Sequence, residues 1–520
     1  MKKYMLKRIL FSIFSLIVVV MIVMILVYSL IDKKVIFQSD DIWNKKFLND
    51  RTAYEYSQYQ KFGYMVTAEY GAFLKGLYSN DKDYTDDPQY IEDKNAIKNP
   101  EKYTENESVR KFIDTYKAKG YEISYLEPIT YSNGQVKPGG NAALYAIKEK
   151  SVFERMWDYV KGFFSIETIN DVDDPNLTER YIRFENDPYG WFAIVGSGTT
   201  HKYLLYFDNK FPFIHQNFLH LNLGVSFTRY RGEEISEVMV REQGEPKFST
   251  VVFPTGYEES SAIDMHSLKY SYNSTGEFET TRFTDNYSMY TYHKDEMSRL
   301  ANSFVIGLIA TIIAYLLGLP LGILMARKKD TWVDKLGNVY VIFIMAVPSL
   351  AYIFMFAAIG TTVFNLPYTF ANAVPKILAY ILPIISLALP SIGGLMKWMR
   401  RYMIDQMNSD YVKFARSQGL SEGEIYRTHI SRNAMIYIVH GIPASILGSL
   451  VGAIITESVY SVPGVGTLLT ESITRHDNAV IVAATVFYTT ISIVSLILGD
   501  LLLAKYDPRI SLSSSKGGGR

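Results

Sequence analysis

The 520-residue chain has no cysteine. That excludes disulfides and thiolate metal sites. It also has no net charge, since 53 Lys and Arg balance 53 Asp and Glu, and no nucleic-acid partner is expected. No GxxxxGK[ST] phosphate loop occurs, so ATP hydrolysis is not expected in this chain. His201, His215, His220, His266 and His293 form no HExxH pattern or other metal spacing. "GSGTT" (Gly196–Thr200) lacks a serine between properly spaced glycines for a nucleophile elbow and reads as a loop. Catalytic residues, a metal site and a cofactor of its own are therefore not expected.

The most informative absence is local. Six stretches lack Lys, Arg, Asp and Glu: Ile9–Ile31, Leu300–Ala326, Val339–Val363, Ile377–Met396, Ala434–Ile455 and Ala479–Ala504, apart from Asp500 near the end of the last. A bilayer-spanning helix needs about 20 apolar residues, and a central charge costs about 2.5–3.5 kcal/mol. Six spans are predicted. The first run exceeds the roughly 7–15 apolar residues of a signal peptide and ends in "DKKVIF", which reads as an uncleaved anchor. Pro320, Pro348, Pro383, Pro390 and Pro443 fall in the spans. Each fits either a kinked helix or a helix lining a path.

Orientation follows from Lys and Arg in short loops. Lys2, Lys3, Lys7 and Arg8 precede the first span; Arg327, Lys328, Lys329 and Lys335 follow the second. Lys397, Arg400 and Arg401 follow the fourth, and Lys505 and Arg509 the sixth. Six spans with both termini cytoplasmic put all these clusters on one side. Residues 32–298 then form a large extracellular domain of mixed α and β character. "NESVRKFIDTYKAKG" places Val109, Phe112, Ile113 and Tyr116 on one helical face and stops at Gly120. "SVFERMWDYVKGFF" opens with Ser151 and Glu154 at capping-box spacing. Its Phe153, Met156, Trp157, Val160 and Phe164 form an apolar face that fits core packing or, less readily, a membrane surface. "KYLLYF" and "STVVF" read as strands.

Between the fourth and fifth spans lies "SDYVKFARSQGLSEGEIYRTHISRNA". Tyr411, Phe414, Ala415 and Gln418 share a helical face, and Gly419 ends that helix. Ser421 and Glu424 open a second, with Ile425, His429 and Ile430 together. Ala415 and Gly419 are expected on the exposed side of the turn, where another protein could approach. The residues alone support equally a docking element and a solvated loop.

The loop resembles the cytoplasmic EAA loop of permease subunits in ATP-binding-cassette importers, most closely the oligopeptide and dipeptide branch. Asp410, Tyr411, Ala415, Arg416, Gly419, Leu420, Ser421, Glu422, His429, Arg432, Asn433 and Ala434 carry the match. Ser417 and Gln418 replace the usual Ala-Lys, and Ser431 the usual leucine. "ESVYSVPGVGTLL" (Glu457–Leu469), "YDPRISL" (Tyr506–Leu512), "GLPLGILMARKKD" and "ILPIISLALPSIGG" resemble other family segments in order. So does "NFLHLNLGVSFTRYRGEEISEVM" (Asn217–Met239), with Asn222 where aspartate is common. The block from about 33 to 212 looks like an insertion, as in B-type subunits of Gram-positive oligopeptide systems.

The resemblance implies the type I ABC importer permease fold, a polytopic α-helical membrane protein of six transmembrane helices with an extracellular α+β insertion. Its parts would be 1–31, cytoplasmic N-terminus and first helix; 32–298, the extracellular domain with a family-like segment at 213–240; 299–505, a five-helix core with the coupling loop 397–434; and 506–520, a cytoplasmic tail. It implies a second permease subunit, two cytoplasmic ATPases that bind ATP and Mg, an extracellular peptide-binding lipoprotein and oligopeptide cargo. Haem, nickel or sugar-peptide cargo stays open as an alternative at this point, because related permeases share the same inner motif. Asp410, Tyr411, Phe414, Ala415, Arg416, Gly419, Leu420, Ser421, Glu422, His429, Arg432 and Asn433 would contact an ATPase. Glu457, Pro463, Gly464 and Gly466 would sit at an outer gate, or in a structural re-entrant turn. The alternatives are an ion-coupled secondary transporter, which usually carries mid-membrane charge that this chain lacks, and a membrane-anchored ligand sensor.

Overall fold

The computed structural model describes residues 2–30, 32–38, 40–78, 84–172, 177–187, 190–197, 203–209, 213–261, 263–264, 276–284, 291–448 and 454–506. His201, His266, residues 198–200 of the glycine-rich loop, the family-like ending after Tyr506 and residues 449–453 of the expected fifth span lie outside them.

The chain opens with one long helix, α1 (Lys2–Leu30), over the first apolar run. The 32–298 region follows. Helix α2 (Leu48–Lys61) ends before Gly63, whose φ of +73° turns the chain into strand β1 (Met65–Glu69). Three helices, α3 (Tyr70–Tyr78), α4 (Pro88–Ala96) and α5 (Glu107–Ala118), precede β2 (Glu122–Leu126) and β3 (Ala143–Glu149). The strands form an antiparallel sheet in the order β1-β3-β2. Tyr70, Leu74, Tyr90, Val109, Phe112, Leu144 and Ala146 make the core between helices and sheet. The expected face of α5 is thus buried through Val109 and Phe112, and Asn106 caps its start by accepting from the Val109 N–H at 3.0 Å.

Helix α6 (Val152–Gly162) begins with the predicted reciprocal box: Glu154 N–H donates to Ser151 Oγ at 3.2 Å and Ser151 N–H to Glu154 Oε2 at 2.7 Å. Strand β4 (Phe164–Ile166) follows. Then β5 (Ile182–Glu185), β6 (Phe192–Gly196), β7 (Tyr203–Phe207) and β8 (Ile214–Gln216) form an antiparallel sheet in sequence order, and β9 (Leu219–Leu221) returns to pair with β4. Both strands expected from the sequence are present, the second as Ser249–Val252. Short helix α7 (Ile235–Val240) leads toward the apolar half.

That half contains α8 (Arg299–Arg327), α9 (Trp332–Ala346), α10 (Ser349–Phe364), α11 (Ile381–Met407), α12 (Asp410–Ser417), α13 (Ser431–Val439), α14 (Ile442–Gly448), α15 (Ile454–Val459), α16 (Val465–Thr474) and α17 (Asn478–Tyr506). Among the described residues, four helices are long and apolar enough to cross a membrane: Leu6–Ser29, Arg299–Arg327, Lys376–Met407 and Asn478–Tyr506. The count becomes five if α9 and α10, bent by 111° relative to each other, form one span. The expected third span is therefore two helices. Pro348 supplies no N–H and pushes Val347 out of the helical region, to ψ 130°. The expected fifth span is, among the described residues, the three shorter helices α13, α14 and α15.

Helices α8 and α11 approach closely because α8 carries small residues on the contact face. A Cβ on Gly318 would lie 2.8 Å from Leu395 Cβ, and one on Gly322 2.9 Å from the Met396 carbonyl oxygen. A separate core joins the 32–298 region to the long helices. Phe37, Tyr59, Phe62, Tyr64 and Met65 pack with Val20 and Met24 of α1, and with Ala479, Val480, Val482, Ala483 and Val486 of α17.

Candidate functional site

Helix α11 continues past its apolar run into the polar 397–434 loop, where Met399 and Met403 are fully buried. The chain turns at Asn408 and Ser409 into α12. Val412 and Ala415, three apart, face inward and pack with Met399, Met403, Ala326, Ile425, Ile430 and Ala434. After Ser417 the helix closes in a Schellman motif. Leu420 N–H donates to the Ala415 carbonyl at 3.3 Å and Gly419 N–H to the Arg416 carbonyl at 3.0 Å. This closure requires the left-handed region, and Gly419 has φ +80°.

Ser421 Oγ then accepts from the Glu424 N–H at 3.3 Å. Residues Ile425–Ile430 form a π-helix, with Ser431 N–H donating to the Tyr426 carbonyl. The wider turn brings Ile425 and Ile430, five apart, onto one buried face. The loop is thus a compact knob fastened to α11.

Its outer surface is polar and paired. Arg416 Nε donates to Glu422 Oε1 at 2.7 Å across the turn, and Lys413 Nζ to Asp410 Oδ1 at 2.8 Å. Hydrogen bonds from these cations hold the Asp410 and Glu422 carboxyls below the usual carboxylate range. Tyr411 O–H donates to Gln406 Oε1 at 2.7 Å. Phe414 is 64 % exposed. Leu420, His429 and Asn433 are half-buried, and Gly419, Ser421 and Arg432 are exposed.

Two expectations are corrected. Ala415 is buried, not on the exposed side of the turn, because the knob closes over Met399 and Met403. Phe414 and Gln418, expected on one face with Tyr411 and Ala415, are exposed instead, because Val412 and Ala415 take the contact with α11. Val412 was missed; its spacing of three from Ala415 was the available signal. Also missed was Asp334, buried in the first turn of α9. Its oxygens accept from Arg400 Nε at 2.6 Å and Nη2 at 2.7 Å, and from the Asp330 N–H at 3.0 Å. This bidentate pair ties α9 to α11 just before the knob.

The structure also brings together Glu457, Pro463, Gly464 and Gly466. Glu457 is buried. Its Oε1 accepts from Ser303 Oγ at 2.7 Å and its Oε2 from the Thr467 N–H at 3.1 Å, in the first turn of α16. Ser303 Oγ in turn accepts from the Val465 N–H at 2.9 Å, and the Pro463 carbonyl accepts from Asn302 Nδ2 at 3.1 Å. The carboxylate therefore serves the positive end of α16. A Cβ on Gly464 would overlap the Glu457 carboxylate and lie 2.7 Å from Ser303 Oγ. Glycine is needed there for space.

A cavity of about 440 Å³ lies among α8, α11 and α14. Gly307, Thr311, Tyr315, Ser391, Gly394 and Ser445 are among its lining, which carries no charged group among the described residues, and Tyr315 Oη lies 3.1 Å from Ser445 Oγ.

Residues 318–512, which include the knob and the Glu457 turn, match the family described as binding-protein-dependent transport system inner membrane component. The chain is 35% identical to the oligopeptide transport system permease protein AmiC of Streptococcus pneumoniae over the whole length of both chains. It is 32% identical to the dipeptide transport system permease protein DppB of Lactococcus lactis over 41% of this chain and 70% of that one. It is 29% identical to the oligopeptide transport system permease protein AppB of Bacillus subtilis over 41% and 70%. The second and third relatives cover less than half of this chain, whereas the likeness to AmiC includes the 32–298 region as well. The chain belongs to the inner-membrane permease components of binding-protein-dependent transport systems, in the oligopeptide permease group that includes AmiC.

Proposed function

We propose that the chain is a transmembrane permease subunit of an ATP-driven oligopeptide importer, forms half of the translocation path, and couples ATPase closure to alternating access. The observation that carries this reading is the knob at 410–430. Its inner face is buried on Met399 and Met403, so it moves with α11 as one body, while Phe414 and the rim around Gly419 are left open. An ATPase that closes on ATP and Mg would grip this rim and swing α11, a bistable element biased by nucleotide. Asp410, Tyr411, Phe414, Arg416, Gly419, Leu420, Ser421, Glu422, His429, Arg432 and Asn433 form the gripped surface, and Ala415 supports it from beneath. The Arg400–Asp334 pair would pass the movement to α9.

In this reading the termini are cytoplasmic, residues 32–298 are extracellular and six segments cross the plasma membrane, with α9–α10 and α13–α15 as broken crossings. A second permease chain supplies the other half of the path, two ATPases dock below and a peptide-binding lipoprotein delivers above. Peptides share a backbone and differ in side chains, so a roomy, uncharged path suits them. The neutral cavity among α8, α11 and α14 supports that cargo. The turn holding Glu457, Pro463, Gly464 and Gly466 is the proposed outer gate element, anchored to the start of α8.

The test is purification of the solubilised complex with uptake of labelled oligopeptides after reconstitution. Two co-purifying ATPases and ATP-dependent uptake are expected. A complex without ATPase, or uptake driven by an ion gradient alone, overturns the reading.

A further inference from the structure

Helix α6 carries two apolar stripes, and only one is used inside the protein. Met156, Tyr159 and Phe163 pack on the core formed with α1 and α17. Phe153 and Trp157, and Phe164 at the start of β4, lie about a quarter-turn away and are 69 %, 68 % and 60 % exposed. Glu154, Asp158 and Lys161 make a third, polar stripe beyond them. Around the helix the order is buried, exposed apolar, polar. Beside it the β4–β9 pair adds exposed Ile166 and Leu221; Phe164 is opposite Leu221 in the register.

The height of this surface is set by its attachments. The Arg155 guanidinium lies 3.7 Å from the Tyr28 ring and 3.8 Å from the Tyr64 ring. Tyr159 and Gly162 of α6 line one cavity with Met24 and Tyr28 of α1 and Leu223 just after β9. Met24 is six residues before the end of α1, about 9 Å along the helix at 1.5 Å per residue. Helix α6 and the β4–β9 pair therefore sit beside the last apolar turns of α1, where Ile22 and Leu26 are themselves exposed. At that depth the neighbour of an apolar stripe is lipid. Aromatic residues next to a polar stripe are the composition of helices that lie in the interface.

We infer that α6 and the β4–β9 pair form a membrane-interface anchor, with Phe153, Trp157, Phe164, Ile166 and Leu221 inserted among the outer-leaflet lipids beside α1. The inference rests on the reading that residues 32–298 lie outside the cell. The anchor fixes the height of the 32–298 lobe over the bilayer. It also explains an apolar surface that would be a liability in water.

Lack of cysteine makes the test direct. The variants Phe153→Cys, Trp157→Cys and Lys111→Cys, the last on the exposed side of α5, each place one thiol in the full-length chain. Each is spin-labelled in the assembled complex in phosphatidylglycerol-containing nanodiscs. Relaxation by dissolved oxygen is compared with relaxation by a water-soluble nickel chelate. At 153 and 157 oxygen is expected to dominate, and at 111 the chelate, so that the ratio inverts. Chelate access at 153 and 157 equal to that at 111 overturns the inference. Protection from both reagents also overturns it, because a protein then covers the stripe. An impermeant maleimide on intact cells tests the topology separately: if Lys111→Cys reacts only after permeabilisation, the outward placement fails, whatever the lipid contact.

Discussion

Gly419 is the one residue at which the knob's backbone and its open rim coincide. Its φ of +80° disfavours any side chain with a Cβ, yet a Cβ there would meet nothing within 4 Å in the isolated chain. Alanine should cost the turn about 1 kcal/mol from backbone strain. Asparagine tolerates the left-handed region better but fills the same open space. If the space receives an ATPase, both Gly419→Ala and Gly419→Asn lower peptide uptake per ATP hydrolysed, and asparagine does so more, with assembly largely intact. If only the turn matters, asparagine is the milder change. Uptake and ATPase rates in proteoliposomes decide between these orders. Asp40 offers a pH-dependent case. Burial raises its pKa, but hydrogen bonds from Arg231 and the Trp43 N–H outweigh burial and hold the carboxyl below the usual range. Its contribution is complete above the unfolded value of about 4 and is lost as pH falls through the lower folded value. Asp40→Asn should destabilise the lobe by about 1–3 kcal/mol at pH 7. Thermal melts of wild type and variant should begin to approach each other as pH falls below about 4 and meet only below the lower folded value.

At the scale of elements, the knob is held from within by apolar contacts and across its turn by the exposed Arg416–Glu422 pair. Arg416→Glu should loosen the turn and also change the charge offered to a partner. The double swap Arg416→Glu with Glu422→Arg restores the pair but reverses its direction. ATPase recovery on co-purification should fall with the single change. If the swap restores recovery, the pair acts through turn shape; if recovery stays low, Arg416 contacts the ATPase directly. Much of this architecture was legible in the sequence. The long helices α1, α8, α11 and α17 announce themselves through charge-free runs, and the α6 capping box and the Gly419 stop are local signals that tertiary context did not override. What escaped was set by packing. Helical spacing puts Tyr411, Phe414, Ala415 and Gln418 on one face of α12, but the contact with Met399 and Met403 takes Val412 and Ala415 with Tyr411 beside them and leaves Phe414 and Gln418 outside. The π-helix at Ile425–Ile430 has no composition signal, because only the burial of both isoleucines reveals it. Pro348 marks a break without stating its angle of 111°. On α6, two apolar stripes a quarter-turn apart cannot be ranked until α1 is in place.

For the molecule as a whole, the 32–298 lobe is not a bead on a tether. Asp477, buried just before α17, accepts from Ser226 Oγ at 2.6 Å, the Phe227 N–H at 3.0 Å and the Thr228 N–H at 3.2 Å. Asn478 Nδ2 donates to Tyr64 Oη at 3.3 Å. Tyr59, Phe62 and Tyr64 belong to the core that packs α1 on α17. Removing a buried large aromatic costs about 3–5 kcal/mol, so losing all three rivals the roughly 5–15 kcal/mol that holds a typical domain. Excising residues 40–200 should therefore reach further than delivery of cargo and loosen α1 from α17. A narrower excision avoids this. Glu69 of β1 is opposite Tyr145 of β3 in an antiparallel pair, so 70–142 can be replaced by a short turn that keeps the hairpin and every residue of the shared core. The protein lacking 70–142 should remain in the membrane with nearly wild-type thermal stability, while the 40–200 deletion melts well below it in the same detergent. Peptide uptake by the narrower variant then reports on the α3–α5 lobe alone. Loss of uptake with retained stability assigns that lobe to cargo delivery, and normal uptake assigns transport to the remainder of the chain.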